Sequence, residues 1–178
     1  VNSGEIPRII SIGTKIGDGT ERADVAPPLR HWIPSIAPSG MAFLTSERYP
    51  GWKGSLFMGA LRGSHLVRLE LDGRTVVKEE QLLAERNTRL RDVRQGPDGW
   101  LYGCQGSTVS CRVRRPGLDA PSAPGVYFEG CMVWRYHPET RAFEIFSEGG
   151  GNTFGLELDA TGRLHSGHNG GKTRGWHF

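Results

Sequence analysis

The chain has 178 residues, 37% of them hydrophobic, with a mean hydropathy of −0.42, which is enough for one domain with a real core. No apolar run approaches the ~18–20 residues that cross a bilayer as a helix. A formal net charge of +3, from 22 basic and 19 acidic side chains, is too small to argue for nucleic-acid or membrane binding.

Twenty-six glycines and eleven prolines, without low-complexity repetition, predict many turns and short strands. A four-residue pattern recurs three times, as Gly54-Ser55-Leu56-Phe57, Gly99-Trp100-Leu101-Tyr102 and Gly162-Arg163-Leu164-His165. Each copy follows a turn-rich stretch and leads into a short strand, so each reads as a hairpin. The step from Gly54 to Gly99 is 45 residues, the length of one four-stranded propeller blade. The step from Gly99 to Gly162 is 63 residues, and the surplus falls between Thr108 and Phe128, which reads as an irregular insertion.

Val1–Glu5 lacks the basic-then-apolar layout of a signal peptide, which does not place the protein in the cytoplasm, since a mature exported chain looks the same. In chain order, Ser39–Leu44 is predicted as an innermost strand, followed by Ser55–Leu61, by His65–Leu71 alternating polar-out with apolar-in, and by Thr75–Leu83. Val77–Arg86 is the one stretch of helix-friendly composition, and its Val-Val start suits an outer strand equally well. A second blade takes Leu90–Gln95, Trp100–Gln105, Met132–His137 and Ala142–Ser147, with Trp134 and Tyr136 as packing residues at strand spacing. A third blade begins with Thr153–Leu158 and Arg163–His168. The fold class is therefore all-β, a partial β-propeller of about two full four-stranded blades plus partial ones, in a single domain over residues 1–178. A β-sandwich of short strands is the alternative. Closing a propeller takes four or more blades, so the missing ones are expected from a longer protein or an oligomer.

Arg86, Arg89, Arg91 and Arg94 lie close together, and Arg112, Arg114 and Arg115 follow. They form either a solvated basic face or an anion-binding patch. Cys104, Cys111 and Cys131 allow one bridge in three pairings, or buried thiols within strands. Their spacing matches no zinc pattern, and no Cys-x-x-Cys-His is present. His165-x-x-His168 and His177 invite a metal reading, but positions i and i+3 on a strand face opposite sides, so loop histidines are the simpler reading.

Residues 1 to about 99 resemble the C-terminal half of the soluble pyrroloquinoline quinone-dependent aldose sugar dehydrogenases, the glucose/sorbosone dehydrogenase family. The carrying stretches are Ser11-Ile12-Gly13, Ile16–Thr20, Pro34–Met41, Leu56–Leu61 and Arg89–Gly99. From about Gly96 onward, Leu101–Thr108, Trp134–Pro138, Gly149–Gly155 and Ser166–Gly171 resemble instead the propeller module of large membrane-bound dehydrogenases, which often carry a c-type haem domain. We read the chain as a composite, with 1–95 from one branch, 96–178 from the other and the insertion at 108–128.

The first resemblance implies a flat tricarboxylate quinone over the propeller mouth, with Ca²⁺ as a further cofactor whose ligands fall mostly outside this chain. Arg89 and Arg91 match the family's Arg-x-Arg pair on an innermost strand. Residues two apart on a strand face one side, and guanidinium forks suit carboxylates. Arg62 stands where relatives commonly have a quinone-contacting lysine, and Ser35, Pro38 and Ser39 are expected at the same mouth as turn residues. Relatives place the general-base histidine in the N-terminal half of the propeller, and neither His31 nor His65 matches its context; both read as surface or hairpin residues. The segment Asn2–Pro7 lacks the aromatics of the family's sugar-pocket motif.

The resemblance thus implies an oxidoreductase acting on the CH–OH group of an aldose to give a lactone, periplasmic or secreted, and inactive as this segment alone. Its partners would be an aldose and an electron acceptor or cytochrome c domain, with no nucleic acid. The competing function is a non-catalytic propeller that binds a protein or glycan through its loop face, including the insertion.

Overall fold

The computed structural model describes residues 23–24, 26–106, 110–113, 122, 124, 126–129, 131–149, 152–168 and 175–177. Asn2–Pro7, Ser11–Gly13 and Ile16–Thr20 lie outside them, as do Arg114, Arg115 and most of the 108–128 insertion; Cys111, Arg112, His168 and His177 are described by backbone alone.

The first sheet is a meander in chain order, β1 (Pro38–Phe43), β2 (Leu56–Ala60), β3 (His65–Asp72) and β4 (Thr75–Leu82), every pair antiparallel. A 3₁₀ turn at Ala84–Arg86 leads to the second sheet, which begins with β5 (Leu90–Gln95) and β6 (Leu101–Gln105). A separate hairpin of β7 (Ser110–Val113) and β8 (Val126–Glu129) follows before β9 (Met132–Tyr136) and β10 (Phe143–Glu148) complete the sheet in the order β5-β6-β9-β10. The third sheet is β11 (Thr153–Leu158), β12 (Leu164–His168) and β13 (Gly175–His177). These are two complete four-stranded blades and a three-stranded one of an all-β propeller whose ring is not closed. The innermost strands β1, β5 and β11 pack side by side.

The three sequence repeats fold alike. Gly54, Gly99 and Gly162 have φ of 82°, 86° and 82°, a left-handed conformation that glycine adopts without steric cost and that turns the chain into the next strand. Gly96 N–H donates to Trp100 O at 2.8 Å and Asp159 N–H to Arg163 O at 2.9 Å, closing the same loop in two blades.

Blades one and two bury both faces. In β2, Phe57 faces the second blade while Leu56 and Met58 face the other way, beneath Trp32. Leu66 and Leu82 join Phe57 against Leu101, Met132, Trp134, Tyr136 and Phe143, which forms the main core between blades one and two. The opposite face of blade two, with Tyr102, Cys104 and Val133, packs on Leu156 and Leu164 of blade three. Trp134 and Tyr136 are packing residues, as their spacing predicts.

Three expectations need correction. β3 does not alternate polar-out with apolar-in; His65 to Leu69 are all buried, because neighbouring layers cover both faces of a middle strand. Arg68 is only 4% exposed there, its charge met by Glu80, by Glu70 at 3.3 Å, by Ser55 Oγ at 3.1 Å and by Gly51 O at 2.9 Å. The insertion is not wholly irregular, since β7 and β8 pair within it, and the third blade gains β13. His65 is a hairpin residue but buried, with its Nδ1 2.7 Å from Gly63 O, whereas His31 is exposed. Cys104 and Cys131 are buried free thiols. No helix among the described residues is long and apolar enough to cross a membrane.

Candidate functional site at one rim of the blades

Strand direction decides which loops share a rim. Ser39, at the start of β1, donates its hydroxyl to Leu90 O, at the start of β5, at 2.7 Å. At the other ends, Thr45 N–H donates to Gln95 Oε1 at 2.6 Å. β1 and β5 therefore run the same way, and both begin at one rim. The antiparallel pairing brings the ends of β2 and β6 to that rim as well.

Arg62 lies in the β2–β3 turn at this rim, where Arg62 N–H and Gly63 N–H donate to Ile36 O at 3.0 and 3.1 Å, just before β1. Ser35 Oγ accepts Ala37 N–H at 3.0 Å, so Ser35 and Ser39 act as turn and strand-to-strand contacts. Arg89 immediately precedes β5, Arg91 lies within it, and the inserted hairpin leaves from and returns to the same rim between Gln105 and Cys131. Topology thus brings Arg62, Arg89 and Arg91 to one rim of adjacent blades.

The Arg-x-Arg pair is not presented by simple strand alternation. Leu90 pairs with Gln105 and Asp92 with Cys104, so Arg91 is the extra residue of a β-bulge, and Arg89 is outside the strand. A bulge re-aims its side chain. Here it shifts the phase of β5, so that Leu90 and Val93, three apart, enter the same core. Asp92, next in the chain, is buried among the innermost strands; burial pushes the neighbouring Cys104 thiol up to about 12, the Asp92 carboxylate adds to that, and Arg91 pulls against it.

Charge bookkeeping separates the three candidates from their neighbours. Among the described side chains, Arg62, Arg89 and Arg91 make no hydrogen bond, ion pair or ring contact, whereas every other described arginine does. Arg62 and Arg89 are exposed, and Arg91 is half-buried. The Arg91 Nε is shut off from solvent and has no acceptor among the described residues, which is unusual for a charged donor. Gly106, at the end of β6, leaves the space that the Arg91 guanidinium occupies. The rim therefore carries three guanidinium forks without a carboxylate partner among the described residues, one of them with an orphaned Nε. Among the described residues no group of three or more His, Cys, Asp or Glu converges to hold a metal ion. His165 Nε2 is 3.5 Å from Asp159 Oδ2, at the opposite rim from the arginines.

Residues 9–109 match the family model described as Glucose / Sorbosone dehydrogenase. The aldose sugar dehydrogenase YliI of Escherichia coli (strain K12) is 42% identical over 84 residues, 47% of this chain and 21% of that protein. The uncharacterized protein slr1608 of Synechocystis sp. is 39% identical over 87 residues, 49% of this chain and 21% of its own length. Among solved structures, a glucose dehydrogenase is 46% identical over 49% of this chain and 26% of its own, with a TM-score of 0.47. The soluble aldose sugar dehydrogenase of Escherichia coli in the apo form is 32% identical over 68% of this chain and 30% of its own, with a TM-score of 0.48. The chain spans about a fifth of the length of the curated relatives it matches.

Proposed function

The chain belongs to the Glucose / Sorbosone dehydrogenase family, and we propose that it forms part of a quinone-dependent sugar dehydrogenase that oxidises an aldose to its lactone. The observation that carries this reading is that Arg62, Arg89 and Arg91 share one rim, each without a partner among the described residues. Pyrroloquinoline quinone is the cofactor that fits, because each of its three carboxylates calls for a fixed cation and a guanidinium meets a carboxylate with two parallel hydrogen bonds. When bound, the quinone would accept the hydride from the sugar. The residues of this chain would bind and orient it, Arg89 and Arg91 from the head of β5 and Arg62 from the next blade. Ca²⁺ and the base that removes the sugar's hydroxyl proton belong, on this reading, to blades other than these, and the compartment is periplasmic or extracellular.

Titration of the protein with pyrroloquinoline quinone at low ionic strength, followed by tryptophan fluorescence, tests the reading. Saturable binding that weakens as salt is raised is expected. Absence of binding with Ca²⁺ present contradicts it.

A second reading, a binding module for a protein or glycan, is favoured by the β7–β8 hairpin inserted at the same rim, within a region where the family match ends at residue 109. We assign residues 96–178 to a second propeller branch on the sequence resemblance alone. Quinone binding without any sugar-dependent reduction of the complete protein would favour the module.

A further inference from the structure

Glycine is usually placed by its backbone. Gly54, Gly99 and Gly162 are of that kind, but Gly106 is not, because its φ lies outside the left-handed range and alanine fits the conformation. What stands against a side chain at 106 is the Arg91 guanidinium. A Cβ there would collide with Arg91 Nε and would come within 2.6 Å of both Cζ and Nη2. No backbone atom is among the nearest obstacles.

Three features set where the guanidinium lies. The bulge between the Leu90–Gln105 and Asp92–Cys104 pairs takes Arg91 out of the strand's regular alternation. Asp92, anchored on both oxygens, fixes the backbone beside it. The bare backbone of Gly106 leaves room for the guanidinium against the end of β6, where Nε is hidden from solvent without an acceptor.

We propose that Gly106 is a positioning residue, whose missing side chain seats the Arg91 guanidinium and aims it at a carboxylate of the quinone. The inference rests on the quinone reading above. An alanine at 106 meets only the flexible end of a side chain, so the guanidinium yields and the fold persists. The loss therefore falls on ligand affinity rather than on stability.

The test is a double-mutant cycle on the complete protein, with pyrroloquinoline quinone as the probe and thermal midpoints measured in parallel. Gly106→Ala is expected to weaken binding about tenfold, and Arg91→Ala by about ten- to a hundredfold. The pair should bind no more weakly than Arg91→Ala alone, since the glycine acts only through the arginine. Wild-type affinity in Gly106→Ala overturns the proposal, as does full additivity in the double variant. Should Gly106→Ala fail to fold, the Nε–H resonance of Arg91 in ¹⁵N spectra, assigned by its absence in Arg91→Lys, serves instead. It should shift on adding the quinone, and an unmoved resonance overturns the proposal. A wild-type protein that binds no quinone overturns the functional reading itself and this inference with it, which is a different result from a wild type that binds while Gly106→Ala binds equally well.

Discussion

The Oδ2 oxygen of Asp92 accepts the backbone N–H of Leu156 at 2.8 Å, tying the innermost strand of one blade to that of the next. Its Oδ1 takes Val93 N–H at 2.8 Å and Arg94 Nη1 at 2.6 Å, and the carboxylate is 4% exposed. Gly40 on β1 presses against the same group, since a Cβ there would overlap it. One side chain thus bonds the innermost strands of two blades and packs against that of a third. Asp92→Asn keeps the size but turns an amide donor toward at least one of these N–H groups. A loss of about 1–3 kcal/mol is expected, read from urea unfolding. An unchanged midpoint would contradict this role for Asp92.

Gly103 makes a comparable prediction for packing. It faces the Trp134 indole, which stacks on Phe143 with ring centroids 5.7 Å apart, and a Cβ at 103 would fall inside the indole. Gly103→Ala should cost about 1–3 kcal/mol through displacement of a fully buried ring. Loss of the near-ultraviolet circular dichroism of Trp134 should accompany it; retention of both signal and stability would contradict the packing.

Much of the fold was legible because turn chemistry repeats. The Gly-x-Leu hairpins marked the start of the second strand in each blade, and β5 and β11 have the bounds their sequences predict. The burial of Arg68 was not legible, because an arginine in an alternating strand reads as solvent-facing unless its partners from other strands are known. The β7–β8 hairpin was hidden by the proline-rich stretch between its strands, and β13 by the glycine run before it. For the candidate site, the sequence resemblance named Arg62, Arg89 and Arg91, and the topology puts all three at one rim. The bulge at Arg91 was not legible, because it depends on the pairing with β6, and that register also gives Gly106 its meaning.

Alkaline pH should destabilise the fold. Burial raises the Cys104 thiol from 9.0 to about 12 and the Tyr136 phenol from 10.0 to about 12. Both groups are folded in their neutral forms, so their contribution is complete below pH 9 and is lost as pH rises toward 12. The unfolding midpoint should fall between pH 9 and 10.5, and Cys104→Val should flatten that slope. A midpoint constant across this range in the wild type would contradict the burial argument.

Modification chemistry gives an independent check on the same thiol. Cys104 should resist alkylation by iodoacetamide at pH 8 in the native state and react once unfolded, because only the thiolate is nucleophilic. Rapid native labelling at Cys104, identified by peptide mapping, would contradict its placement.

On the quinone reading, Arg62, Arg89 and Arg91, without partners among the described residues, recognise carboxylates. The most direct measurement compares pyrroloquinoline quinone with its trimethyl ester, which keeps the planar ring system and removes the charges. The free acid should bind the wild-type protein at least tenfold more tightly than the ester, and Arg89→Ala/Arg91→Ala should narrow this difference. Equal affinities of acid and ester for the wild type would contradict that reading.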